Sequence, residues 1–225
     1  MRGPDALTGA GIFVTGTDTG VGKTAAACAL LRAHAVRGSR AIGMKPVASG
    51  IAPGAACHAD AAALAAAGNV FAPLDMRNPY AFAPAIAPHI AAREAGVVID
   101  LLRIGAAYRD LAARADRVIV EGAGGVLAPL DDRHDMLDIA GAIGLPVLLV
   151  VGMRLGCLNH ALLSAAAVRA RGLILAGWVA NAIEPALPRF DENVATLERR
   201  LAAPRLATLA WSGAAQPRWN GVVLP

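Results

Sequence analysis

Short apolar runs, glycine turns and helical stretches follow one another along the whole chain. Gly11-Ile12-Phe13-Val14-Thr15 reads as a buried strand. A glycine-rich turn follows, then an alanine-rich helix from Thr24 to Arg37 that Gly38 stops. Ala41 to Met44, Arg117 to Val120 with Glu121 behind it, Pro146 to Val151, Leu175 to Ala180 and Leu206 to Ala210 read as further strands. Helical segments fall near 97–115, 134–143, 157–171 and 190–202. The strands are apolar throughout rather than alternating, so each buries both faces. Such strands alternating with helices predict an α/β fold with a mostly parallel sheet covered on both sides. Functional groups are then expected at the carboxyl ends of the strands. The stretch from Ala52 to Ala95 breaks the rhythm: it carries Pro53, Pro73, Pro79, Pro84 and Pro88, and only 61–67 has a clearly helical composition. With no repeat and no low-complexity linker, residues 1–225 are expected to form a single domain.

Composition narrows the class. Hydrophobic residues make up 56% and charged ones 17%, which predicts a packed globular chain rather than a disordered one. No apolar run approaches the roughly 20 residues of a membrane span. Met1 to Gly11 lacks the apolar core of a secretory signal. Cys28, Cys57 and Cys157 are odd in number and form no CxxC, which fits reduced thiols and a cytoplasmic location. The net charge is +4, but the arginines are scattered and no nucleic-acid-binding signature accompanies them, so the charge reads as a solvated surface.

Of 21 basic residues only two are lysines, Lys23 and Lys45. A chain that otherwise uses arginine keeps a compact point charge at these two places, where a planar guanidinium would not substitute. Lys23 ends Gly16-Thr17-Asp18-Thr19-Gly20-Val21-Gly22-Lys23-Thr24. Strand, glycine loop, Gly-Lys-Thr and helix make the P-loop arrangement, in which backbone N–H groups face phosphate oxygens. Lys23 then reaches the outer phosphates and Thr24 offers a hydroxyl to Mg²⁺. The spacing departs from the usual pattern, because Thr17 stands where the first glycine belongs and Gly16 comes one residue early. A hard cation needs further oxygen ligands. Glu121, directly after a strand, is one candidate; Asp60 is a second, although alone it also reads as a helix N-terminal residue. His58 beside Cys57 lacks the second pair that zinc requires. Cys28 and Cys157 read as small buried hydrophobes.

These residues, with Lys45-Pro46-Val47-Ala48-Ser49-Gly50, Asn78-Pro79-Tyr80, Pro88-His89-Ile90, Glu121-Gly122-Ala123-Gly124-Gly125, Gly156-Cys157-Leu158-Asn159-His160 and Gly177-Trp178-Val179-Ala180-Asn181, run over nearly the whole chain. In this order they resemble the dethiobiotin synthetase family within the P-loop NTPases. The resemblance implies a parallel sheet of about seven strands and a homodimer with sites at the subunit interface. It implies an ATP-dependent ligase of biotin biosynthesis that joins CO₂ to 7,8-diaminononanoate and closes a ureido ring. It casts Lys23 and Lys45 as catalytic, and Ser49 with Lys45 as contacts of a carbamate and the transferring phosphoryl group. Gly20, Val21, Gly22, Lys23, Thr24 and Ala25 would carry the phosphates. Thr24, Asp60 and Glu121 match the magnesium ligands, and Glu121, Gly122, Ala123 and Gly124 line the site. Asn181 matches the adenine contact, with Ala182, Ala210, Trp211 and Ser212 nearby; taken alone, Asn181 also reads as a turn former. The substrate carboxylate is expected at the helix N-terminus of Gly156, Cys157, Leu158 and Asn159, contributed across the dimer. The chain departs from some family members at Gly20, where a Glu can stand, at Asn193, where a Tyr can stand, and at Ala182, where an Asp can stand.

Three rivals compete. A partition or septum-placing ATPase shares the Gly-Val-Gly-Lys-Thr loop but carries a lysine five residues before the loop lysine; here that residue is Asp18. A cobyrinate-type amide synthase needs a glutaminase domain for which 225 residues leave no room. A phosphate-binding module without catalysis would leave Lys45-Pro46-Val47 and Glu121 without a purpose.

Overall fold

The computed structural model describes residues 11–211. Strand β1 (Gly11–Gly16) leads through the glycine loop into helix α1 (Lys23–Val36). Strands β2 (Ala41–Met44) and β3 (Val47–Ser49) follow, then helices α2 (Ala59–Ala67) and α3 (Leu74–Arg77), strand β4 (Tyr80–Phe82) and helix α4 (Pro88–Glu94). The remaining elements alternate strictly: α5 (Leu101–Ala112), β5 (Arg117–Glu121), α6 (Met136–Ile143), β6 (Val147–Met153), α7 (Cys157–Ala170), β7 (Leu175–Ala182), α8 (Phe190–Arg200) and β8 (Arg205–Leu209).

Six strands form one parallel sheet in the order β2-β5-β1-β6-β7-β8. Its two faces bury different residues of the same strands. Ile12 and Val14 of β1 pack with Leu30 and Leu31 of α1 and Leu64 of α2. Phe13 faces the other layer, with Ile104, Leu137, Val168 and Leu197 from α5, α6, α7 and α8. The unbroken apolar character of the strands has this physical cause: neither face sees water. The α/β class, the parallel sheet and the helices on both faces agree with the sequence.

The strand count differs from the family-implied seven. Among the described residues the main sheet has six, and β3 and β4 make a separate two-stranded parallel sheet. Both are three residues long and lie beside Pro46 and Pro79, too short for a periodic signal. Among the described residues no helix is long and apolar enough to cross a membrane.

The sheet order positions the site. From β1 the chain crosses to β2 on one side, and β6, β7 and β8 build the other side. The carboxyl ends of β5, β1 and β6 therefore meet at a reversal of winding direction, where open parallel sheets place ligands.

Candidate active site

The loop after β1 is pinned from beneath. Thr17, at the position of the missing glycine, donates its N–H to the Val150 carbonyl at 3.0 Å and accepts from the Gly152 N–H at Oγ1 at 3.4 Å. Asp18 accepts from the Thr19 N–H and from Arg154 Nη2, at 2.7 and 2.8 Å. Gly22 adopts φ 88° as the N-cap of α1, a conformation open to glycine without strain. No side chain caps this helix, so its first N–H groups remain available to an anion. Lys23 is buried, and its Nζ donates to the Asp18 carbonyl at 2.8 Å. Burial, reinforced by the charge of Lys45, pushes the Lys23 ammonium down to about 8, against the opposing pull of Glu121 and Asp60.

Lys45 follows β2 and is only 3% exposed. Its Nζ meets Glu121 Oε1 at 2.6 Å, Asp60 Oδ2 at 2.8 Å and the Gly122 carbonyl at 3.1 Å. Burial alone would lower it, but the charges and hydrogen bonds of Glu121 and Asp60 hold it above the ordinary lysine range. Burial works against the charged Asp60 as well, and the Lys45 charge overrides it and keeps that carboxyl below its usual range. The Lys45 backbone is clamped: its N–H donates to the Arg77 carbonyl at 2.8 Å, and its carbonyl accepts from Asn78 Nδ2 at 2.7 Å. Arg77 is buried; its Nε and Nη2 donate to the Ala72 and Val70 carbonyls, while its Nη1 has no hydrogen-bond partner among the described residues.

Thr24 Oγ1 donates to Glu121 Oε1 at 2.9 Å. Glu121 is fully buried, and its Oε2 has no hydrogen-bond partner among the described residues. A buried carboxylate oxygen left unpartnered beside a second carboxylate and a hydroxyl suits a hard cation. Mg²⁺ takes one or two carboxylates and completes its shell with water and phosphate oxygens. The residues therefore fit Mg²⁺, although among the described residues no three or more His, Cys, Asp or Glu are grouped so as to hold a metal ion by themselves.

Gly20, Gly22, Lys23, Thr24, Lys45, Ser49, Asp60, Glu121, Ala123 and Gly124 all line one cleft of about 700 Å³. The Ser49 hydroxyl donates to the Ile86 carbonyl at 2.7 Å, tying β3 to the cleft wall of Ala85 to Pro88. Val21 is buried beneath the loop, and Gly122 contributes only its carbonyl to Lys45. Asn181 and Ala182, at the end of β7, and the exposed Ala210 and Trp211 do not line the cleft; Ser212 lies outside the described residues. Gly156, Cys157, Leu158 and Asn159 form the uncapped start of α7, also outside the cleft lining, with Asn159 exposed. Asn193 donates to the Arg189 carbonyl at 2.8 Å, within its own helix start.

His58, whose sequence neighbourhood lacks the partners for zinc, sits on the cleft wall. Its Nδ1 accepts from the Asp60 N–H at 3.2 Å, and its Nε2 lies 3.1 Å from the Ser49 carbonyl. This geometry assigns the proton to Nε2 and joins the carboxylate helix to β3. Its place as the N-cap of α2, two residues before Asp60, was the available signal.

A family model described as "AAA domain" matches residues 10–217. The chain is 56% identical over 203 residues to ATP-dependent dethiobiotin synthetase of Nitrosospira multiformis, covering 90% of this chain and 89% of that one. It is 54% identical to the enzyme of the same name from Aromatoleum aromaticum, covering 91% and 92%. Among solved structures it resembles the Aquifex aeolicus MinC:MinD cell division complex, with a TM-score of 0.55 at 15% identity, covering 91% of this chain and 82% of that one. It also resembles a ParA family ATPase from Chlorobium tepidum, with a TM-score of 0.53 at 12% identity, covering 90% and 84%. The structural likenesses show the P-loop NTPase fold, and the sequence identities, sustained over nine-tenths of both partners, show that this chain belongs to the dethiobiotin synthetase family.

Proposed function

We propose that residues 1–225 act as one domain that closes a cyclic urea on 7,8-diaminononanoate at the expense of ATP, giving dethiobiotin, ADP and phosphate. The observation that carries this reading is the convergence of Lys23, Lys45, Thr24, Asp60 and Glu121 on one cleft. One substrate amine takes up CO₂ and loses a proton, giving a carbamate. A carbamate oxygen bonds to the γ-phosphorus as the bond to the ADP oxygen breaks, forming a carbamic–phosphoric anhydride. The second amine then attacks the carbamoyl carbon, phosphate departs with the electron pair, and the amine proton is released.

The chain's part is binding and electrostatics. Loop N–H groups from Gly20 to Ala25 hold the phosphates, and Lys23 exchanges its Asp18 carbonyl for a phosphate oxygen. Lys45, with Ser49, offsets the charge that gathers as carbamate and phosphoryl group meet. Mg²⁺ held by Thr24, Asp60 and Glu121 would neutralise phosphate charge as a Lewis acid. Glu121, Gly122, Ala123 and Gly124 form the wall on that side, and Asn181, Ala182, Ala210, Trp211 and Ser212 the base end. The substrate carboxylate binds at Gly156 to Asn159 of a second subunit in a homodimer. The open N-terminus of α7, away from its own chain's cleft, supports this. A cytoplasmic setting belongs to the same proposal, supported by three free cysteines.

Fold likeness does not separate this reading from a partition ATPase, but Asp18, held by Arg154, occupies the place of that class's lysine. The test is incubation with the diamine, bicarbonate and Mg-ATP, followed by mass spectrometry. The cyclic urea should appear with ADP, and omitting the diamine should suppress ADP formation. Brisk hydrolysis without diamine, and no urea with it, would sink the reading.

A further inference from the structure

Asn181 stands behind the phosphate loop and holds it. Its Nδ2 donates to the Val21 carbonyl at 2.8 Å, and the residue is 9% exposed. The approach is cleared by glycines. A Cβ on Gly22 would come within 2.1 Å of that same amide nitrogen. Gly152 is the register partner of Asn181 on β6, and a Cβ there would lie 2.7 Å from Val21 Cγ1. A Cβ on Gly16 would lie 2.6 Å from Val21 Cγ2. The Val21 side chain is thus seated in a slot that two glycines leave open, while its carbonyl is tied across β6 to β7. In a trans peptide the carbonyl and the next N–H point in opposite directions. Drawing the Val21 carbonyl back toward Asn181 turns the Gly22 N–H the other way, to the side on which Gly22 lines the cleft.

We infer that Asn181 is a positioning residue for phosphate binding: through the Val21 carbonyl it fixes the peptide plane that presents the Gly22 N–H to a phosphate oxygen. The inference rests on reading the cleft as the ATP site and extends it, because base recognition alone needs no bond to Val21.

A ligand without a base separates the two roles. ADP and inorganic tripolyphosphate are titrated calorimetrically into the wild-type chain, Asn181→Ala and the similarly sized Asn181→Leu. Both variants should weaken both ligands to a similar degree, roughly fivefold or more for the lost hydrogen bond. In steady-state assays the KM for ATP should rise while the KM for the diamine stays put, a split that general destabilisation would not produce. If ADP weakens while tripolyphosphate affinity is unchanged, or if neither changes, the inference is overturned. A wild-type chain that binds neither ligand would bring down the ATP-site reading, and the inference with it, in a recognisably different pattern. Should both variants fail to fold, the side-chain amide resonance of Asn181 in the wild type decides. Tripolyphosphate should shift it if the loop and Asn181 move together, and an unmoved resonance overturns the inference.

Discussion

Three acceptors within 2.6 to 3.1 Å surround a single ammonium at Lys45, which is almost sealed from water. A guanidinium cannot place its charge at that point, because its planar fork spreads the donors apart. Lys45→Arg should therefore lower kcat by about a hundredfold or more, the usual cost of one misplaced transition-state donor, with ADP affinity little changed. Single-turnover assays beside ADP titrations check this, and near-normal turnover would remove Lys45 from the chemistry. The sequence pointed to this residue through lysine scarcity and through the family resemblance of the run Lys45 to Gly50. It gave no hint that Asn78 and Arg77 grip the Lys45 backbone, because those bonds join residues 33 and 32 apart through a loop of irregular path.

At the scale of elements, α1 serves both site and core. Its first turn carries Lys23 and Thr24, and its last turn buries His34. Burial, with the charges of Arg117 and Arg37, pushes the His34 imidazole down to about 4. Its ordinary value is 6.5, so below that pH the unfolded chain takes a proton that the folded chain refuses until about pH 4. Stability linked to His34 is thus complete above about pH 6.5 and declines as pH falls toward 4, by on the order of 3 kcal/mol. Urea unfolding between pH 7 and 4.5 should show a shallower decline for His34→Gln than for the wild type; parallel curves would refute the assignment. The helices and long strands were legible because each repeats its period over several residues. β3 and β4 were not, since three residues carry no period, and their pairing joins segments on either side of α2 and α3.

For the whole molecule, the open question of assembly has a direct answer. If Asn159 serves the partner's site, mixing Lys23→Ala with Asn159→Ala subunits restores one intact site in each mixed dimer. With random assortment about a quarter of wild-type activity should return, and purified mixed dimers that stay inactive would confine each site to one subunit. Local order in the chain alone determined the phosphate loop, its lysine and threonine, the two-faced strands and the family, because each is written in contiguous residues or in their spacing. Tertiary structure alone decided that Lys45 and Glu121, 76 residues apart, form a buried ion pair, and that Asn181 reaches Val21 across 160 residues. The reason is the strand order: placing β5 between β2 and β1, and a glycine of β6 between Val21 and β7, brings together side chains whose distance along the sequence carries no trace of their contact.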